Sequence, residues 1–333
     1  MHFIVFGAGA IGCYVGGRLA AAGQPVTLVG RPRVLAPLAQ GGLQVSDLDG
    51  FSAQLAPAQL RLAFSLAEAA VQPPYVVLLC VKGGATESAA QELAAACPAG
   101  TPVISLQNGV DNVARISAVA PQLQALAGMV PYNVVMPTAH SVRRATTGSL
   151  HLQRNPATEQ VAPLLAAAGL AVDLVDDMRA VQWGKLLLNL NNPVNALSDL
   201  PLRDELMGRG YRRVLAALQL EALRAMDAAG IVPAQVASAP PRLLPHILRL
   251  PDWLFTRVAA RMLRIDPSAR SSMWDDLQLG RVTEIDDLCG AVVRLAAQHG
   301  VQAPRSAAMR ELVLQHRKGQ RWTGDQMAEA LKL

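Results

Sequence analysis

Apolar residues open the chain as a short run, His2 to Phe6, that breaks on Gly7-Ala8-Gly9-Ala10-Ile11-Gly12. A run of this length bounded by glycine predicts a buried strand. The apolar period that follows predicts a helix to about Ala22, closed by Gly23. The pattern then recurs. Pro25 to Val29, Tyr75 to Val81 and Thr101 to Leu106 are further apolar runs, the last two separated by an alanine-rich helical stretch. Parallel strands covered on both faces read as continuous apolar runs rather than alternating ones. Strands alternating with helices predict βαβ units, so the first half is expected to be a doubly wound, parallel α/β domain.

From about Asp177 the period changes. Ala180 to Leu197, Gly210 to Ala229, Leu254 to Leu263 and Glu284 to His299 carry helical spacing, and Gly230 and Gly300 stand where helices end. Runs of β-branched residues become few. The expected organisation is residues 1–176 as the α/β domain and 177–333 as an all-helical domain. The apolar stretch Leu243 to Leu263 holds His246, Arg249, Asp252, Arg257, Arg261 and two prolines, so it is not expected to span a membrane. The first residues lack the basic region of a signal peptide.

Composition fits this architecture. Hydrophobic residues make up 51% but aromatics only 4%, so Ala, Leu and Val carry the core, as in helices packed on a parallel sheet. The net charge of +5 comes from scattered arginines, which predicts no nucleic-acid partner and suits a small anionic ligand. Cys13, Cys80, Cys97 and Cys289 show neither CxxC nor Cys/His spacing. They read as reduced thiols of a cytoplasmic protein, and the dispersed histidines give no metal site. The apolar helical half offers packing for a homodimer, though no self-complementary motif stands out.

Arginine dominates the basic residues, and lysine occurs only at 82, 185, 318 and 332. A guanidinium cannot release a proton in a protein, whereas an ammonium can. That makes Lys82 and Lys185 candidates for chemistry, with chance in an arginine-biased chain as the plain alternative.

Gly7, Gly9 and Gly12 form G-x-G-x-x-G between a strand and a helix, the context that makes this motif a dinucleotide fingerprint. The first glycine makes the turn, the second lets backbone approach the pyrophosphate, and the third lets helix and strand close up. With Ala10 and Ile11 they predict the phosphate-binding end of a Rossmann domain. NAD sites place an acidic residue about 20 residues further on. No acidic residue precedes Asp47 here, and the second strand runs instead into Gly30-Arg31-Pro32-Arg33. A guanidinium at Arg31 can pair with the 2′-phosphate of NADPH, which is therefore the expected cofactor.

In the second half, Lys185, Asn189 and Asn192 lie at i, i+4 and i+7 on one stripe of a leucine-rich helix. Pro193 removes the bond that the Asn189 carbonyl would accept, so a kink is expected there. The stripe reads as a ligand wall, with a solvated polar face as the alternative. Further on, Ser271 or Ser272 can cap a helix, with Asp275 near the capping-box position, and Thr283 with Glu284 can open another.

These residues carry a resemblance. GAGAIG, LLCVKGG, LQNGVDN, WGKLLLN, ARSSMWDD and GRVTEID, in this order and spacing, resemble the ketopantoate reductase (2-dehydropantoate 2-reductase) family across both domains. The resemblance implies Lys185 as general acid and Glu284 as the substrate-binding carboxylate. It places Asn189 and Ser272 on the substrate, and Lys82 and Asn108 beside the nicotinamide ribose and the substrate. Position 193 is proline where the family often has asparagine, so Asn192 takes that role, with Asn195 as competitor. The chain also departs from the family in Cys289 and in extra sequence that includes Pro240 to Pro267.

The activity implied is NADPH-dependent reduction of ketopantoate to pantoate, in pantothenate and coenzyme A synthesis. Three rivals stand beside it: a reductase of another 2-oxo acid, a β-hydroxyacid dehydrogenase and a non-catalytic NADPH sensor. The last would need neither Lys185 nor Glu284.

Overall fold

The computed structural model describes residues 1–260, 263 and 266–333, and the chain divides into two compact units, Met1–Met178 and Arg179–Leu333. The first unit holds twelve strands: β1 (His2–Phe6), β2 (Val26–Val29), β3 (Leu43–Ser46), β4 (Ser52–Leu55), β5 (Arg61–Ala63), β6 (Tyr75–Leu79), β7 (Pro102–Ser105), β8 (Gln124–Met129), β9 (Val134–Thr138), β10 (Ser141–Arg144), β11 (Leu150–Gln153) and β12 (Val172–Val175). Its helices are α1 (Ala10–Ala21), α2 (Pro32–Gly41), α3 (Leu66–Ala69), α4 (Thr86–Ala96), α5 (Asn112–Val119) and α6 (Pro156–Ala167).

Eight strands form one sheet in the order β12-β11-β8-β7-β6-β1-β2-β5, parallel throughout except for the β8–β11 pair. Side chains alternate across it with the two-residue period of a strand. Phe3 and Val5 face Leu19, Leu35 and Leu38, while Ile4 and Phe6 face Leu93 and Ile116 on the other side. The chain steps from β1 to β2 in one direction and returns to β6 on the other side of β1. That reversal is the switch point where ligands bind in open α/β sheets.

A second sheet, β4-β3-β10-β9, was not expected from the sequence. Its Val45 and Val142 join the core beneath α1, where a β-carbon on Gly17 would stand 2.5 Å from the Val45 side chain. Charged residues tie it down. Arg18 of α1 pairs with Asp47 at 2.5 Å and donates to the Ala168 carbonyl, and Arg144 pairs with both Asp47 and Asp49.

Among the described residues the second unit contains helices only: α7 (Met178–Asn189), α8 (Asn191–Ser198), α9 (Leu202–Met207), α10 (Arg209–Ala228), α11 (Leu244–Leu248), α12 (Asp252–Val258), α13 (Ser272–Gln278), α14 (Ile285–Gln298), α15 (Pro304–Leu314) and α16 (Gly324–Ala330). α10 runs 20 residues through the middle and packs against α9, α11, α14 and α16. Gly230 and Gly300 take positive φ just past the ends of α10 and α14, as C-terminal glycines do. The helix expected over Leu254–Leu263 is seen as α12; Arg261 and Met262, in its expected last turn, lie outside the described residues.

Candidate active site

The first unit gathers its candidate residues at the C-terminal ends of β2, β1, β6 and β7. Gly7 sits at φ +112°, and a β-carbon there would meet the Val81 amide nitrogen at 2.6 Å. The turn after β1 therefore lies directly on the chain leading to Lys82. Gly12 is equally closed, since a β-carbon would overlap the Gly7 carbonyl oxygen. Gly9 differs: no heavy atom lies within 4 Å of where its β-carbon would stand. It is exposed at the start of α1, beside Ala10 and Ile11, where unpaired amides favour negative charge. Two closed glycines and one open one match the separate roles the fingerprint assigns them, so these residues fit a dinucleotide. Arg31, at the N-terminus of α2, is exposed one residue beyond Gly30, whose added β-carbon would stand 2.8 Å from the Ala8 methyl.

Lys82 and Asn108 follow β6 and β7, Lys82 exposed and Asn108 half-buried. A polar network that sequence reasoning missed holds their turns. Buried Gln107 donates to the Val81 carbonyl at 3.0 Å and to Thr86 Oγ1 at 2.8 Å, and accepts from Ser105 Oγ. Asn112 accepts from Thr86 and donates to the Asn108 carbonyl at 2.7 Å. Buried polar groups in such closed networks rigidify what they join. Gln107 and Asn112 flank Asn108 in the same LQNGVDN segment, which was the available signal.

In the second unit, Lys185 and Asn189 lie on α7 and Asn192 in the first turn of α8, all three half-buried. The two helices part at Leu190, so the interruption expected from Pro193 falls three residues before it. The proline ring clashes with the carbonyl one turn back, at Asn189. Burial pushes the Lys185 ammonium down from 10.5 to about 8. Removal from water disfavours the charged form and makes it a readier proton donor.

Ser271 caps α13, its hydroxyl accepting from the Trp274 amide at 3.2 Å. Asp275 is consequently not in a capping box, and Ser272 stands exposed at the first helical position. Ser271 also donates from Oγ to the Asn192 carbonyl at 3.2 Å. That contact joins the start of α13, where Ser272 stands, to Asn192 at the start of α8. Glu284, half-buried, is itself the residue before α14, so the expected Thr283 cap is corrected by one position. Helix geometry explains this: the chain enters its helical conformation one residue later, and no side chain caps the amides.

Asn195 is fully buried and committed elsewhere. It accepts from the Ser271 amide at 2.9 Å and donates to the Leu200 carbonyl at 3.0 Å. Asp199, which the sequence reading passed over, accepts from the Trp274 indole at 2.7 Å and pairs with Arg270 and Arg321. The indole hydrogen bond first, against the opposing effect of burial, and then the two guanidiniums hold its carboxyl below the usual range.

Residues 3–157 match the family model described as ketopantoate reductase PanE/ApbA, and residues 177–317 match its C-terminal counterpart. A 2-dehydropantoate 2-reductase of Halobacterium salinarum is 29% identical over 94% of this chain and 98% of its own. The crystal structure of a PanE/ApbA family ketopantoate reductase from Ralstonia eutropha superposes with TM-score 0.79 at 30% identity, over 94% of this chain and 97% of that one. A D-mandelate dehydrogenase in complex with NADH and anilino(oxo)acetate covers 100% of both chains with TM-score 0.77; at 21% identity it shares the fold.

Proposed function

From the premise that the chain belongs to the ketopantoate reductase family, an oxidoreductase family using a nicotinamide cofactor, we propose that it reduces 2-dehydropantoate to pantoate with NADPH. Pantothenate synthesis is the pathway this product would feed. The observation that carries the reading is Lys185, a lysine whose burial brings its ammonium down to about 8, on α7 with Asn189 and just before Asn192 of α8, whose carbonyl bonds Ser271.

Gly7, Gly9, Ala10, Ile11 and Gly12 hold the pyrophosphate, Arg31 the 2′-phosphate, and Lys82 and Asn108 the ribose end. A reduced nicotinamide, when bound, would supply the hydride for the 2-keto carbon. The Lys185 ammonium steadies the charge that develops on the carbonyl oxygen and gives that oxygen its proton. Positioned acids of this kind contribute about 10²–10⁴-fold. Glu284 accepts from the substrate hydroxyl, and Asn189, Asn192 and Ser272 fix the rest of the acid. An analogue without the hydroxyl leaves the carboxylate unpaired, which is how such sites discriminate.

A second reading, reduction of a different 2-oxo acid, draws on the segment containing α11 and α12. That segment folds as ordered helices in the substrate-side unit rather than as a loose insertion. The deciding experiment follows NADPH oxidation with ketopantoate, 2-oxoisovalerate, pyruvate and phenylglyoxylate, the 2-oxo acid corresponding to mandelate. Ketopantoate turning over orders of magnitude faster than 2-oxoisovalerate, which lacks only the hydroxymethyl group, is the expected result. Preference for another acid would favour the second reading, and no turnover with any of them would sink both.

A further inference from the structure

Glu205 of α9 is completely buried, and no cation is bonded to it among the described residues. Its Oε2 accepts from Asn191 Nδ2 at 2.9 Å and from Asn195 Nδ2 at 3.4 Å. Its other oxygen, Oε1, is buried without a partner, and so is Oδ1 of the same Asn191. Two acceptors left over in one linked pair of side chains are short of one proton between them. A carboxylic acid has the missing donor, and a carboxylate does not.

We infer that Glu205 is carried as the neutral acid, its Oε1–H donated to Asn191 Oδ1 so that acid and amide close a paired ring. Through Asn195, that ring positions the Ser271–Ser272 turn. The link to the turn is short. The Asn195 carboxamide that reaches Glu205 also takes the Ser271 amide at 2.9 Å, while Ser271 Oγ bonds the Asn192 carbonyl. Asn191 and Asn192 begin α8, directly after the helix bearing Lys185. Glu205 is thus a positioning residue, acting on substrate through Asn195 and Ser272, and this part of the inference rests on the proposed reading of Ser272.

The charged neighbours support a neutral group. At the end of α8, Asp199 has its charge taken up by Arg270 and Arg321. From α10, Arg212 donates to the Leu206 and Met207 carbonyls and pairs with Asp252. Also on α10, Tyr211 is an uncharged neighbour, its hydroxyl pushed up first by burial. On α9 itself, Arg203 and Asp204 are both exposed at its start. Burial accordingly raises the Glu205 carboxyl from 4.5 to about 8, against the opposing effect of the two asparagine amides.

Glu205→Gln tests this, because its amide supplies the same donor and acceptor with no charge. Three readouts on the whole protein decide it. Infrared spectra at pH 7 should contain the carbonyl stretch of a protonated carboxylic acid, absent from E205Q. The unfolded chain ionises Glu205 above about 4.5 while the folded chain keeps it protonated to about 8. The wild-type melting temperature should therefore fall relative to that of E205Q as pH rises from 5 to 8. In kinetics, E205Q should keep kcat and KM near wild type, whereas E205A should raise KM about ten-fold with a smaller change in kcat, since it strands two buried amide donors. Parallel melting curves from pH 5 to 8, no acid band, or E205Q as damaged as E205A would overturn the inference. If no 2-oxo acid is turned over, the proposed function fails, while the infrared and melting results still decide the state of Glu205.

Discussion

The backbone of Ala234 lies against Gly184. Its amide donates to the Ala180 carbonyl at 2.9 Å, one turn earlier on α7, and a β-carbon on Gly184 would overlap the Ala234 carbonyl oxygen. The glycine beside Lys185 is thus fixed by a chain crossing the helix at close range. Gly184→Ala would gain up to about 1 kcal/mol of helix propensity. The overlap is with backbone, which no rotamer change relieves, so overpacking at about 1–3 kcal/mol wins. The variant should melt below wild type by chemical denaturation and lose kcat through displacement of Lys185. A variant as stable as wild type would show that the 234 segment yields freely.

Lys185 gives a prediction with two signs. As the proposed proton donor it would work charged, so kcat should decline above pH about 8, and Lys185→Ala should lose about 10²–10⁴-fold in kcat with NADPH affinity kept. For stability the charge is a cost. The folded lysine releases its proton near 8 and the unfolded one near 10.5, so wild type should gain stability as pH rises between those values. Lys185→Met should therefore melt higher than wild type at pH 7, with the difference closing toward pH 10.5. Melting curves and pH–rate profiles check both halves, and a Lys185→Met protein less stable than wild type at pH 7 would overturn the stability half.

What the sequence made legible follows from how each element announces itself. β1, β2, β6 and β7 are buried on both faces, so continuous runs such as YVVLL reveal them, and α10 and α14 show their period over several turns. The second sheet gives no such signal. β4 and β9 are four or five residues long and largely exposed, and β3 pairs with β10 nearly 100 residues away. Arg18, Asp47 and Arg144 meet only after folding, so their shared burial leaves no local pattern. At the site, Lys185, Asn189 and Asn192 were readable from helical spacing alone. Glu205 was not, because an acidic pair in LRDEL looks like surface until α8 and α10 cover its second member.

Arg31 decides the cofactor prediction. It stands exposed after β2 with no acidic residue before Asp47 to bond a ribose hydroxyl. A charge-assisted hydrogen bond to a phosphate contributes about 1.5–3 kcal/mol, so Arg31→Asp should lower kcat/KM for NADPH about 10–100-fold. NADH efficiency should hold or rise. Unchanged relative efficiencies would remove Arg31 from the site and leave Arg33 as the nearer candidate.

Arg212 makes a prediction about the segment that departs from the family pattern. Its guanidinium is fully buried, donates to the Leu206, Met207, Leu248 and Leu250 carbonyls, pairs with Asp252 and stacks on Phe255 at 4.2 Å. It therefore joins the end of α9 to the turn between α11 and α12. Arg212→Met keeps much of the apolar stem but strands four carbonyl oxygens, at about 1–3 kcal/mol for each that water cannot reach. Asp252 is mostly exposed, so Asp252→Asn should cost under about 1 kcal/mol. Limited proteolysis should cut the Arg212→Met protein first between α11 and α12, while Asp252→Asn stays resistant. Equal resistance in both would mean that packing of Leu244, Leu248 and Phe255, rather than the arginine, holds these helices down.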